Sequence, residues 1–213
     1  MDEKTIDKKT STKFLVILID GQLNWHNHVQ YIKNKMSSSL YAINKVKFIL
    51  PTKYLVTLYY SLIYPFMTYG ISLWGNTHKS QTNKIFILQK NAIRAINRAC
   101  YNEHTNTMFH KLNILKLPEL YTWHVAKYMF CFSNGMLPKS LSNTFVSLGN
   151  CHEYNTRNRQ NITIPLHKSA VGQNSIFHIG PKIWNDLEYS IKSSHTLPHF
   201  KKTLKLALLE SYV

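Results

Sequence analysis

The sequence predicts a mainly α protein: a helical bundle with a short strand near the N-terminus and a small α+β unit at the C-terminal end. Three observations predict it. Apolar residues recur every three or four positions through Val29, Ile32, Met36, Leu40, Ile43, Val46 and Leu50, one continuous stripe on a helix. Seven glycines in 213 residues, against a usual ~7%, leave an all-β barrel short of turn residues. A chain that is 44% hydrophobic and 13% aromatic can fill a core, which excludes disorder throughout.

Residues 1–12 are polar and charged, a frayed lead-in without the apolar core of a secretory leader. An intracellular protein of the nucleus or cytoplasm is therefore expected, and three cysteines without close pairing fit reduced thiols. Residues 13–20 are apolar and rich in β-branched side chains and end in Asp20-Gly21, so a buried strand followed by a turn is predicted. The first helix carries the 29–50 stripe and stops before Pro51. A second, central helix starts at Pro51 or Thr52 and breaks at Pro65, and Trp74-Gly75-Asn76 closes that segment.

Residues 54–78 carry no charge and are long enough to cross a bilayer, but Pro65, Gly70 and Gly75 interrupt them, so a buried, broken helix is expected and no membrane insertion. A third helix spans residues 80–99 with Ile85, Leu88, Ala92, Ala95, Ile96 and Ala99 inward. Shorter helices are predicted at 105–113, 118–134 and 138–146. The texture then changes to Gly, Asn, Arg and Thr, with strands expected at 162–166 and 175–179, a short helix at 181–187 and a last helix opened by Pro198. The predicted division is 1–22 for the lead-in and strand, 23–148 for the basic helical domain and 149–213 for the C-terminal unit.

Charge narrows the function. The 26 Lys and Arg exceed the ten acidic residues by 16, giving a pI near 9.7. No acid occurs in residues 21–102, which hold ten Lys and Arg. A surface this unbalanced lowers its self-repulsion by meeting a polyanion, nucleic acid first and anionic lipid second. The candidate contacts are Lys33, Lys35 and Lys45 on the first helix, Lys90, Arg94 and Arg98 on the third, Arg157 and Arg159 after Tyr154, and Lys182. Lys90, Arg94 and Arg98 recur at every fourth residue, which stacks side chains about 6 Å apart, close to the phosphate spacing of a strand. In an extended chain Arg157 and Arg159 would be aimed to one side, an arrangement suited to phosphate forks.

Other chemistries find little support. Two-metal phosphoryl transfer needs clustered carboxylates, and the closest acids are Asp2-Glu3 in the lead-in and the pair Asp186 and Glu188. Cys100, His104 and His110 form one loose set rather than the two close ligand pairs of a structural zinc site. No phosphate-cradling glycine loop and no nucleophile elbow is present in the sequence. No catalytic or metal-ligating residue is assigned.

A series of landmarks in fixed order then carries a resemblance: Lys13-Phe-Leu and Ile19-Asp20, Leu23-x-Trp25-x-x-His28-Val29, Leu50-Pro51, Leu58-Tyr59-Tyr60-Ser61-Leu62-Ile63-x-Pro65, Tyr69-Gly70, and Trp74-Gly75-Asn76. The series goes on with Leu88-Gln89-Lys90-x-Ala92-Ile93-Arg94, His104-Thr105-Asn106, Tyr154-Asn155-Thr156-Arg157, Gly180-Pro181-Lys182-x-Trp184-Asn185-x-Leu187 and Phe200-Lys201-Lys202. Together they resemble the C-terminal part of reverse transcriptases of non-LTR, jockey-like retrotransposons. The resemblance implies that residues 13–20 follow the polymerase palm near the primer end, and that the helices beyond form a thumb-like bundle and C-terminal extension. It places fingers and palm upstream of Met1, so the chain is expected to bind an RNA/DNA template-primer without polymerising by itself. No cofactor is expected here, the complete enzyme using Mg2+ held outside this chain. Further implied partners are the missing palm and fingers or a complete element-encoded polymerase. The chain departs from the family at Val16, where Gly is usual and where backbone would approach a primer. The alternative is a non-enzymatic helical interaction protein or a basic membrane-surface protein.

Overall fold

The computed structural model describes residues 10–150 and 161–212. It opens on a β-hairpin rather than a single strand: β1 (Ser11–Phe14) pairs antiparallel with β2 (Ile17–Asp20), Phe14 facing Ile17 and Ser11 facing Asp20. The chain reverses at Leu15 and Val16, whose φ angles are +44° and +69°. Two-residue hairpin turns favour Asn-Gly at such angles, and this apolar pair carries no such signal. The Tyr69 hydroxyl donates to the Leu15 carbonyl at 2.7 Å and ties the turn to the helical body. Behind it Ile17 packs so closely on Gly70 (φ +63°) that a Cβ there would meet its Cδ1 at 2.7 Å.

Asp20 organises the passage into the first helix. Its Oδ1 accepts the N–H groups of Gln22 and Asn24, and its Oδ2 accepts that of Trp25 at 2.9 Å. The Asn24 side chain then accepts the His26 N–H at 3.0 Å. Helix α1 (His26–Val46) follows, with Val29, Ile32, Met36 and Ile43 of the apolar stripe fully buried. Short helices α2 (Thr52–Leu62), α3 (Tyr64–Thr68) and α4 (Ile71–Trp74) realise the broken central segment, the breaks falling at Ile63 and Gly70. Among the described residues no helix is long and apolar enough to cross a membrane.

Helix α5 (Lys79–Asn97) packs along α1 and contributes Ile85, Ala92, Ile93 and Ile96 to the core. Each of the three isoleucine side chains, fully buried, contributes about 1.5–3 kcal/mol. After α6 (Asn106–Lys111), the apolar α7 (Leu117–Ser133) lies against α4, α5 and the C-terminal helices. One buried polar side chain joins these layers. Gln89 of α5 donates from Nε2 to the Tyr59 hydroxyl (3.0 Å) and the Leu115 carbonyl (2.9 Å), while its Oε1 accepts the Leu117 N–H at the start of α7.

The C-terminal segment departs from the sequence expectation in three places. Residues 138–146 form only the 3-10 turn Lys139–Leu141, because Ser142 and Thr144 hydroxyls donate back to the Lys139 and Leu141 carbonyls in place of a continuing helix. At 162–166 the expected strand reduces to one bridge, Ile162 opposite Ser147, and Pro165 removes the next donor. Residues 176–179 are not a strand but the first turn of α9 (Ile176–Asp186), which runs through Pro181 and follows the short α8 (Ala170–Asn174). At Gly180 α9 approaches α7 so closely that a Cβ would meet Met129 Sδ at 2.7 Å. Helices α10 (Tyr189–Lys192) and α11 (Leu197–Glu210) complete the chain, with Phe200 stacked on Phe130 of α7 at 4.4 Å between ring centroids.

Candidate nucleic-acid interface

The basic residues named from the sequence separate into groups with different surroundings. Lys90 and Arg94, one turn apart on α5, line a cavity of about 480 Å³ together with His104 and Lys116. The Lys90 ammonium lies 4.9 Å from the Phe86 ring and that of Lys116 only 3.6 Å from the Tyr212 ring, so both cations rest on aromatic faces. Arg94 donates from Nε to the Glu103 carbonyl (3.0 Å) and from Nη1 to Asn91 (3.1 Å), which fixes its guanidinium and leaves Nη2 for a ligand. Glu103 and Glu119 share the cavity wall. Glu103 accepts the Cys100 N–H at 3.2 Å, and Glu119 sits in the first turn of α7, where the helix dipole favours a carboxylate.

Arg98 does different work. It caps α5 in the left-handed region (φ +54°), and its guanidinium donates to the carbonyls of Lys47 (2.9 Å) and Leu50 (3.0 Å), tying α5 to the link between α1 and α2. The stripe read at every fourth residue therefore turns away from Lys90 and Arg94 at its third member. Lys33 and Lys35 lie on the first half of α1, Lys33 half-buried and Lys35 with its ammonium 5.8 Å from the Tyr31 ring. Lys45 stands near the end of that helix, 5.2 Å from the Tyr41 ring. Lys182 is exposed on α9. Arg157 and Arg159 lie outside the described residues.

A second hollow, about 240 Å³, adjoins the first: Arg94 lines both. Asn44 and Lys47 form its other side with Tyr101, which stands 5.9 Å from the Arg94 guanidinium and is 76% exposed. Lys47, Tyr101, His104 and Lys116 are members of this surface that the sequence reading missed. Lys47 and Tyr101 follow the last turns of α1 and α5, where periodicity ends, and Lys116 precedes a proline that opens α7. Of the three aromatic residues that the sequence suggests for the core, Tyr59 and Trp74 are fully buried, whereas Tyr60 is 39% exposed.

Other titratable groups lie away from this surface. Burial, then the ammoniums of Lys127 and Lys201, push the His124 imidazole down to about 4. Burial also lowers His28, whose Nδ1 accepts the Leu18 N–H at 3.4 Å between the edges of Trp25 and Trp74. Among the described residues no three His, Cys, Asp or Glu side chains converge where a metal ion could sit. Asp186 ends α9, and Glu188 accepts the Ser190 hydroxyl at 3.2 Å.

The fold and these hollows define a basic helical module whose cations stand beside aromatic rings. Its relatives are polymerases of mobile elements. Over 129 residues the chain is 27% identical to the "Probable RNA-directed DNA polymerase from transposon BS" of Drosophila melanogaster, a match covering 58% of this chain and 14% of the relative. Over 124 residues it is 31% identical to the "RNA-directed DNA polymerase from mobile element jockey" of the same organism, covering 55% of this chain and 13% of the relative. The chain thus spans about one seventh of the length of the curated relatives it matches. No family model and no solved structure matches it. The resemblance read from the ordered landmarks accordingly holds: the chain is similar to a part of the RNA-directed DNA polymerases of jockey-type mobile elements.

Proposed function

We propose that this chain is a nucleic-acid-binding fragment related to retrotransposon reverse transcriptases, a thumb-like and C-terminal region that holds a template-primer through its phosphates. The observation that carries this reading is the convergence of Lys90, Arg94 and Lys116 on one cavity, within a chain 27–31% identical to two RNA-directed DNA polymerases. Cations that meet phosphates confer affinity and orientation without sequence preference. The few, scattered acids support a chain that does not polymerise by itself, since two-metal catalysis would need clustered carboxylates.

Binding of the full chain to an RNA/DNA hybrid, measured by fluorescence anisotropy at low and at physiological salt, tests the proposal. Tight binding at low salt that falls steeply with added salt is expected. Salt-insensitive binding, or none at low salt, would overturn it. A primer-extension assay on the same preparation is expected to show no nucleotide incorporation.

A further inference from the structure

The exposed aromatic residues at one end of the molecule are not accounted for by phosphate contacts. Tyr41 is 64% exposed, Phe48 75% and Tyr101 76%, so none of them serves the core. Each has a cation beside it: Lys45 at 5.2 Å from the Tyr41 ring, Lys47 at 5.1 Å from that of Phe48, and Arg94 at 5.9 Å from that of Tyr101. The pairs come from the end of α1 and the end of α5, and Lys47, Arg94 and Tyr101 meet around the 240 Å³ hollow although α2, α3, α4 and most of α5 separate Lys47 from Arg94 in sequence.

Resting on the nucleic-acid reading above, we propose that this end of the molecule is a single-strand path. In it Tyr41, Phe48 and Tyr101 stack unpaired bases, and Lys45, Lys47 and Arg94 take the phosphates beside them. A nucleotide presents a flat apolar base and, a few ångströms away, an anion, which is the ligand that a ring with an adjacent cation fits. A duplex hides its base faces in its own stack, so exposed rings gain nothing from it and distinguish single strands. Arg94 also lines the cavity of Lys90 and Lys116, so the strand has a basic continuation from the aromatic end. Stacking on such rings accepts any base, so the path has little sequence preference.

The test compares a labelled 12-nucleotide single strand, its blunt duplex and the RNA/DNA hybrid of the same sequence, bound to the full chain at one salt concentration. The single strand is expected to bind about tenfold or more tighter than the blunt duplex, and Tyr101→Leu or Phe48→Leu to weaken single-strand binding about tenfold each, Phe48→Leu with duplex binding unchanged. Tyr101→Phe keeps the ring and is expected to retain wild-type affinity. Because the three side chains are exposed, circular dichroism of the variants is expected to match the wild type. Equal or tighter duplex binding, or ring removal without effect, overturns the single-strand path and leaves these rings as a surface for a protein partner, with the phosphate grip intact if Lys90→Ala still weakens binding. Failure of every nucleic acid to bind at low salt overturns both readings.

Discussion

Val16 is the residue at which local geometry and side chain disagree most. A β-branched side chain at φ +69° costs about 1–2 kcal/mol, whereas glycine adopts that angle freely, and glycine is what the resemblance expects there. Val16→Gly is therefore expected to stabilise the chain by about 1 kcal/mol, the relieved strain exceeding the added freedom of the unfolded chain, with thermal or denaturant unfolding as the measurement. A second residue sets a pH response. His124 titrates near 4 in the folded chain against 6.5 ordinarily, so as pH falls below 6.5 the unfolded chain takes up a proton that the folded chain refuses until about 4. The stabilisation is fully present above pH 6.5 and is lost progressively down to about 4. Denaturant midpoints across that interval are expected to fall less steeply in His124→Leu than in the wild type.

At the scale of elements, Gln89 couples α2, α5 and the entry to α7 through three buried hydrogen bonds. Gln89→Leu would leave the Tyr59 hydroxyl, the Leu115 carbonyl and the Leu117 N–H unpaired in the core, at a cost of about 2–4 kcal/mol readable in urea unfolding. The helices that meet here were legible in the sequence because α1 and α5 each repeat an apolar stripe over many turns, and α2 and α7 are bounded by Pro51 and Pro118. The hairpin was not legible, since its turn uses Leu15 and Val16 with none of the usual turn residues. Nor was the outcome legible near 162 and 175: Pro165 limits the first segment to one bridge, and the β-branched Ile176 and Ile179 of the second form the first turn of a helix that passes through Pro181, which spacing alone could not tell from a strand. The site was half legible. Lys90 and Arg94 do share a cavity, but Arg98 is recruited by carbonyls of a loop distant in sequence, and Phe48 and Tyr101 lie past the helix ends where no period marks them.

For the whole molecule, the charge excess and its placement set how binding responds to ions. Each ammonium that neutralises a phosphate releases about one counterion, so the logarithm of the association constant is expected to fall linearly with the logarithm of salt concentration. Lys116→Ala, which removes one cation from the larger cavity, is expected to lower that slope by about 1 for every sequence tested, a result that titrations at several salt concentrations would check. The N-terminal hairpin carries a different consequence. Among the described residues β1 has a neighbour on one side only, while the outward Leu18 N–H of β2 is already met by His28. Beside that open edge project Phe14 and Leu15, 63% and 67% exposed. An uncovered edge with apolar flanks is a template on which another copy can add a strand, with Lys13 the charge that resists it. Self-association of the chain is therefore expected to begin at this hairpin, far from the surface that its net charge would suggest protects it.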